Sequence, residues 1–116
     1  MFQMQNEMPR EVKTNVRGGS GSPGFVHLFS AQQLAHRAEL AAIITLHPGD
    51  SVGAHVHDAD GEIYCVLDGA AMVAEDGIER ELHSGDAEFC ADGHSHAIRN
   101  HTDADMRFLA LVVPNR

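Results

Sequence analysis

Three histidines and one glutamate carry the chemistry this chain can offer. His55 and His57 stand one residue apart, Glu62 follows after four more, and His96 answers them far downstream. Neutral imidazole nitrogen and carboxylate oxygen suit borderline first-row metals, and four such ligands leave positions open for water or substrate. Two further residues share their pattern. Tyr64 lies two past Glu62 and His94 two before His96, so on extended strands both project to the ligand side. Tyr64 is then a pocket phenol or part of the core, and His94 either a rim group able to act as acid, base or hydrogen-bond donor or an exposed loop histidine.

The other candidates have quieter readings. Cys65 and Cys90 lack C-x-x-C spacing and sit among apolar residues, which predicts packed, reduced thiols. Asp58 and Asp60 read as a solvated loop between ligand strands. His27, His36, His47, His83 and His101 have no spacing partner and default to surface or turn roles, and Asn100 to closing a turn.

Positioning such ligands is work for short strands. Apolar runs separated by Gly, Pro, Asp and Asn predict strands over 25–29, 39–46, 51–56, 61–67, 70–75, 78–82, 87–90, 94–99 and 106–113. Asp76-Gly77 is a two-residue hairpin signal, and tight turns are expected at 47–50 and 83–86. Ser30 is placed to cap one short helix over 31–37. Closely spaced strands of this kind indicate an all-β fold, a small closed antiparallel barrel or jelly roll, which removes exposed sheet edges. Ile98, Phe89, Met72, Met106 and Phe108 are expected to line its apolar wall.

With 116 residues the chain is long enough for one domain. Residues 1–24 end in a Gly/Ser/Pro-rich stretch and read as a flexible lead-in, leaving 25–116 as the barrel. Net charge is −9 with Lys13 the single lysine, so nucleic acid and anionic membranes would be repelled. No targeting signal or bilayer-length apolar run is evident, and a cytoplasmic location is expected. Ile63, Cys65, Leu67, Leu109, Leu111 and Val113 face away from the ligands, so a homodimer, or the N-terminal strand, is expected to cover them.

Taken with the glycines, the spacing becomes more specific. Gly49, His55, His57, Glu62 and Gly69 form one cluster, and Gly85, Gly93, His96 and Asn100 a second. Together they resemble the two motifs of the cupin superfamily across residues 49–100. One position departs: Ala91 stands where that pattern usually has proline, which touches a turn and no coordinating atom. The resemblance implies a cupin-like jelly roll with His55, His57, Glu62 and His96 as metal ligands in its mouth.

A six-coordinate shell with two open positions favours Mn, Fe, Ni or Co, with Zn as the four-coordinate alternative. A small oxygen-rich substrate then points first to dioxygenase-like oxidation. The alternative is a metal-dependent isomerase, epimerase or lyase acting on a sugar or small acid, with His94 or Tyr64 moving the proton. A second alternative is a non-catalytic small-ligand binding module.

Overall fold

A computed structural model of the protein describes residues 1–115. Ten strands run in chain order: β1 (Arg10–Val12), β2 (Gly24–His27), β3 (Leu40–Leu46), β4 (Ser51–Val56), β5 (Asp60–Asp68), β6 (Ala70–Glu75), β7 (Ile78–His83), β8 (Ala87–Cys90), β9 (Ser95–Arg99) and β10 (Met106–Pro114). They form two antiparallel sheets, a six-stranded one ordered β1-β2-β3-β10-β5-β8 and a four-stranded one ordered β4-β9-β6-β7. The all-β jelly roll expected from the strand pattern is the architecture found.

Period-two patterning builds it. Along β5, Glu62, Tyr64 and Val66 are buried while Ile63, Cys65 and Leu67 are only partly covered. The inward residues of both sheets meet in one core that includes Leu46, Tyr64, Val73, Ile98, Met106 and Phe108. Asp76 and Gly77 adopt φ of 50° and 84°, the left-handed pair a two-residue hairpin demands, and join β6 to β7. Asn100 closes its turn as expected, donating from Nδ2 to the carbonyls of Leu46 and Ala104 at 2.8 Å each.

Three expectations are corrected. The 31–37 helix is a set of turns. Ser30 and Gln33 exchange the reciprocal capping bonds that start a helix, but Ala35 and His36 turn left-handed at φ 51° and 57° and stop it within a turn. Phe89 is 54% exposed, because β8 alternates and gives its inner face to Glu88 and Cys90.

The third correction concerns residues 1–24. They are not a free lead-in: β1 pairs with β2, and the stretch after it crosses the turn that precedes β4. The Ser20 carbonyl accepts from Ser51 N at 2.9 Å, the Ser20 hydroxyl donates to the Gly49 carbonyl at 2.7 Å, and Ser22 N donates to Asp50 Oδ1 at 3.2 Å. Composition misleads here because glycine and serine serve the contact. A Cβ on Gly53 would lie 2.2 Å from the Arg17 carbonyl oxygen, so only glycine lets the two backbones approach this closely. Residues 13–22 thus form a strap laid along β4.

Candidate metal centre

The four ligand candidates come from both sheets. His55 on β4 lies directly opposite His96 on β9, His57 follows the end of β4, and Glu62 projects from β5 across the gap. Strict alternation would not deliver His55, since Val52 already faces the core three residues earlier. The β4–β9 register shifts between Val52 and His55, and this bulge re-aims the histidine inward.

Ligand atoms from His55, His57, Glu62 and His96 lie within 4.8 Å of one another. Glu62 Oε1 stands 3.4 Å from His55 Nε2, 3.1 Å from His57 Nε2 and 2.9 Å from His96 Nε2, and the last two nitrogens are 3.1 Å apart. Each ring is fixed from behind at Nδ1. His55 bonds the Gly53 carbonyl at 2.8 Å, His57 bonds Asp60 Oδ1 at 2.8 Å, and His96 bonds Glu88 Oε1 at 2.9 Å. All three partners are acceptors, so each ring places a hydrogen on Nδ1 and can offer its Nε2 lone pair inward to a cation that displaces any proton held there. Three nitrogen lone pairs and a carboxylate oxygen then converge on one point, an arrangement that calls for a cation. The donor set fits a divalent metal ion.

Charge at the centre follows the same logic without metal. Burial opposes the imidazolium of His96, yet its bonds to Glu62 and Glu88 outweigh burial and lift it to about 9. Burial likewise opposes the Glu62 carboxylate, but His55 and His96 hold its carboxyl down at about 2. A proton shared among these groups does part of what a metal would do. Beyond His96, Glu88 and Cys90 also approach its ring. The Cys90 thiol is pushed up to about 12 by burial and nearby carboxylates, so it offers no thiolate.

Tyr64 and His94 part company. Tyr64 is 1% exposed, stacks on His96 and lines the cavity above the cluster. Burial, then the charges of Glu62 and Glu88, keep its phenol protonated well above the usual range. His94 is outside this group. Strand β9 begins only at Ser95, and His94 lies in the preceding turn with its ring against Asp76 Oδ2 at 2.6 Å, about half exposed. The expectation that it faces the same way as His96 fails because alternation does not extend into a turn.

Sequence reasoning passed over two carboxylates and two cations. Asp60, read as a loop residue, lies on β5 two residues before Glu62 and so shares its face; that spacing was the available signal. Glu88 shares a face of β8 with buried Cys90, a weaker one. Lys13 and Arg17 line the cavity over the ligands together with Tyr64 and Val52. Nothing local announces them, because the strap reaches the site through tertiary contacts. The cavity holds about 180 Å³, below the ~300 Å³ at which pockets for drug-sized ligands begin.

Among the described residues no helix is long and apolar enough to cross a membrane. A family model described as the Cupin domain matches residues 42–113. The oxalate-binding protein of Thermotoga maritima is 35% identical over 113 residues, which span 97% of this chain and 93% of that one. A crystal structure from Thermotoga maritima, described as a predicted oxalate decarboxylase, superposes with a TM-score of 0.94 at 35% identity, covering 98% of this chain and 99% of the other. A sugar phosphate isomerase of the cupin superfamily from Silicibacter pomeroyi shares the fold alone, with a TM-score of 0.78 at 20% identity over 99% of this chain and 76% of that one. The paired motifs, the two-sheet roll with its histidine–carboxylate cluster and the matched family model lead to one conclusion: the chain belongs to the cupin family.

Proposed function

We propose that this protein holds a divalent ion on His55, His57, Glu62 and His96 and uses it to bind a small dicarboxylate of the oxalate class. The observation that carries the ligand class is the near full-length, 35% identity to an oxalate-binding protein. The small cavity above the cluster supports it, since a ligand of a few heavy atoms suffices to fill the space. Four protein ligands leave two positions on Mn, Fe, Ni or Co, and two carboxylate oxygens are the donors such ions accept.

Calorimetric titration of oxalate into protein loaded with each metal in turn tests the reading. Binding that appears with metal and vanishes on chelation is expected; the absence of heat with every loaded form overturns it. Turnover is scored in the same samples. Carbon dioxide release without oxygen uptake identifies a decarboxylase, the reaction class named for the Thermotoga structure. Oxygen uptake identifies the dioxygenase-like oxidation expected from sequence, and binding without either identifies a carrier or sensor.

The reading extends to a homodimer in the cytoplasm. Ile43, Ile63, Leu109 and Leu111 lie on the outer face of the six-stranded sheet and are only partly covered, with exposed Phe89 beside Ile63. A second copy is the occupant that supports, and sedimentation at micromolar concentration checks it: a monomer throughout overturns the dimer. Two unpaired cysteines suit a reducing compartment.

A further inference from the structure

We propose that the strap is the charge selector of the site: Arg17 and Lys13 receive the outer carboxylate of the ligand and make the pocket specific for dianions. The inference deepens the dicarboxylate reading and rests on it for the position of the ligand.

The carrying observation is where this acidic chain puts its cations. With a net charge of −9 and one lysine in all, it places that lysine and an arginine over the cluster. Lys13 is kept at the rim by Glu11 at 3.3 Å and by the Phe25 ring, whose centroid is 4.8 Å from Nζ. Arg17, like Arg10, Arg37 and Arg80, has no ion-pair partner among the described residues, whereas Arg99 pairs with Glu79 and Arg107 with Asp68; of the unpaired four, Arg17 is the one that lines this cavity.

Backbone cost points the same way. Arg17 sits at φ 53°, ψ 34°, a left-handed conformation that glycine adopts freely and arginine does not. Folding holds it there through the close approach of its carbonyl to Gly53. Asn15, Ala35, His36, Ala59 and Asp76 are left-handed too, so what the conformation contributes at Arg17 is the place where its side chain leaves the strap.

Charge then favours a ligand with a second anionic group. Lys13 is already paired with Glu11, so Arg17 is the cation left over the cavity to meet an outer carboxylate. A dicarboxylate supplies that second charge, while a monoanion of the same chelating shape leaves the guanidinium unmet. One carboxylate can meet the metal as the other meets the guanidinium, whose paired N–H donors match a carboxylate.

The test uses manganese-loaded full-length protein, with oxalate, malonate and inorganic phosphate as dianions and glycolate as a monoanionic chelator. Oxalate is expected to bind more tightly than glycolate. Arg17→Gln and Lys13→Gln each weaken oxalate by about tenfold or more and glycolate by less, with manganese content unchanged. Arg17→Gly weakens oxalate equally, yet melts no lower than the parent because the left-handed position is relieved. Equal oxalate affinity in Arg17→Gln and the parent overturns the selector while leaving the dicarboxylate reading intact. Malonate or phosphate binding that depends on Arg17, with no oxalate binding, upholds the selector and overturns oxalate. If no dianion binds the parent, both fall.

Discussion

Tyr64 lies flat against His96, ring centroids 4.1 Å apart and planes 9° from parallel, while Phe108 meets Tyr64 edge-on at 5.0 Å. The phenol therefore braces a metal-ligand candidate from the core. Its ring, more than its hydroxyl, is what the fold uses here. Tyr64→Phe should keep the metal and most of the stability. Tyr64→Ala should lose about 3–5 kcal/mol, as large buried aromatics do, and reduce metal content as well. Urea unfolding with metal analysis on the same samples checks both, and a Tyr64→Phe protein that binds metal but no longer turns over substrate would make the hydroxyl catalytic.

Loss of a donor differs from loss of its support. His57→Ala or Glu62→Gln should abolish stoichiometric metal binding. Asp60→Asn and Glu88→Gln leave all four donors in place but release the rings of His57 and His96, and a weakening of about 10- to 100-fold is expected. Glu88 also has an Oε2 that is buried without a partner, so its carboxylate is held there against a desolvation cost. His94→Gln, outside the cluster, should leave metal affinity unchanged. Competition with a chelator of known affinity ranks the variants, and parent-like affinity in Glu88→Gln contradicts the supporting role.

The pH dependence of the metal-free protein follows from the same contacts. His96 is raised from 6.5 to about 9 in the folded chain, so its stabilising contribution is complete below pH 6.5 and lost as pH rises through about 9. Glu62 is lowered from 4.5 to about 2, so its contribution is present above pH 4.5 and lost as pH falls through about 2. These are two sides of one ion pair, and the window in which it acts fully runs from 4.5 to 6.5. Metal-stripped protein should melt lower, by about 5 °C or more, once pH has risen past about 9 than inside the window. Loaded protein should not, because the ion replaces the proton. Thermal scans of both forms across pH decide, and a flat profile for stripped protein refutes the ion pair.

Gly53→Ala examines the strap. The added methyl would meet backbone, the Arg17 carbonyl and Gly19 N, rather than a flexible side chain. A loss of about 1–3 kcal/mol is expected, with the strap displaced. Protease cleavage between residues 13 and 22 should accelerate well before global unfolding, whereas parent-like resistance would show that the strap does not depend on this contact.

The ligand set was legible in the sequence because alternation is local: Glu62 and Tyr64 share a face by spacing alone, as do His55 and His57. That His55 and His96 are opposite each other, and that a bulge is needed to turn His55 inward, depends on pairing between strands some forty positions apart. No local pattern encodes it. The strap was missed for the opposite reason: its glycines and serines look like a linker in isolation, yet find their partners in the turn before β4. His94 was over-read by extending strand geometry one residue into a turn.

Gly53 is shared by two sites. On one side its carbonyl orients His55; on the other its missing side chain admits the backbone that carries Arg17. A metal held by His55 and an anion held by Arg17 would therefore both bear on the same residue. Whatever factor the ion adds to anion affinity, the anion must return to the ion, since a coupling between two equilibria has a single value. The protein would then hold its metal most tightly when its ligand is abundant, and release it more readily when the ligand is gone.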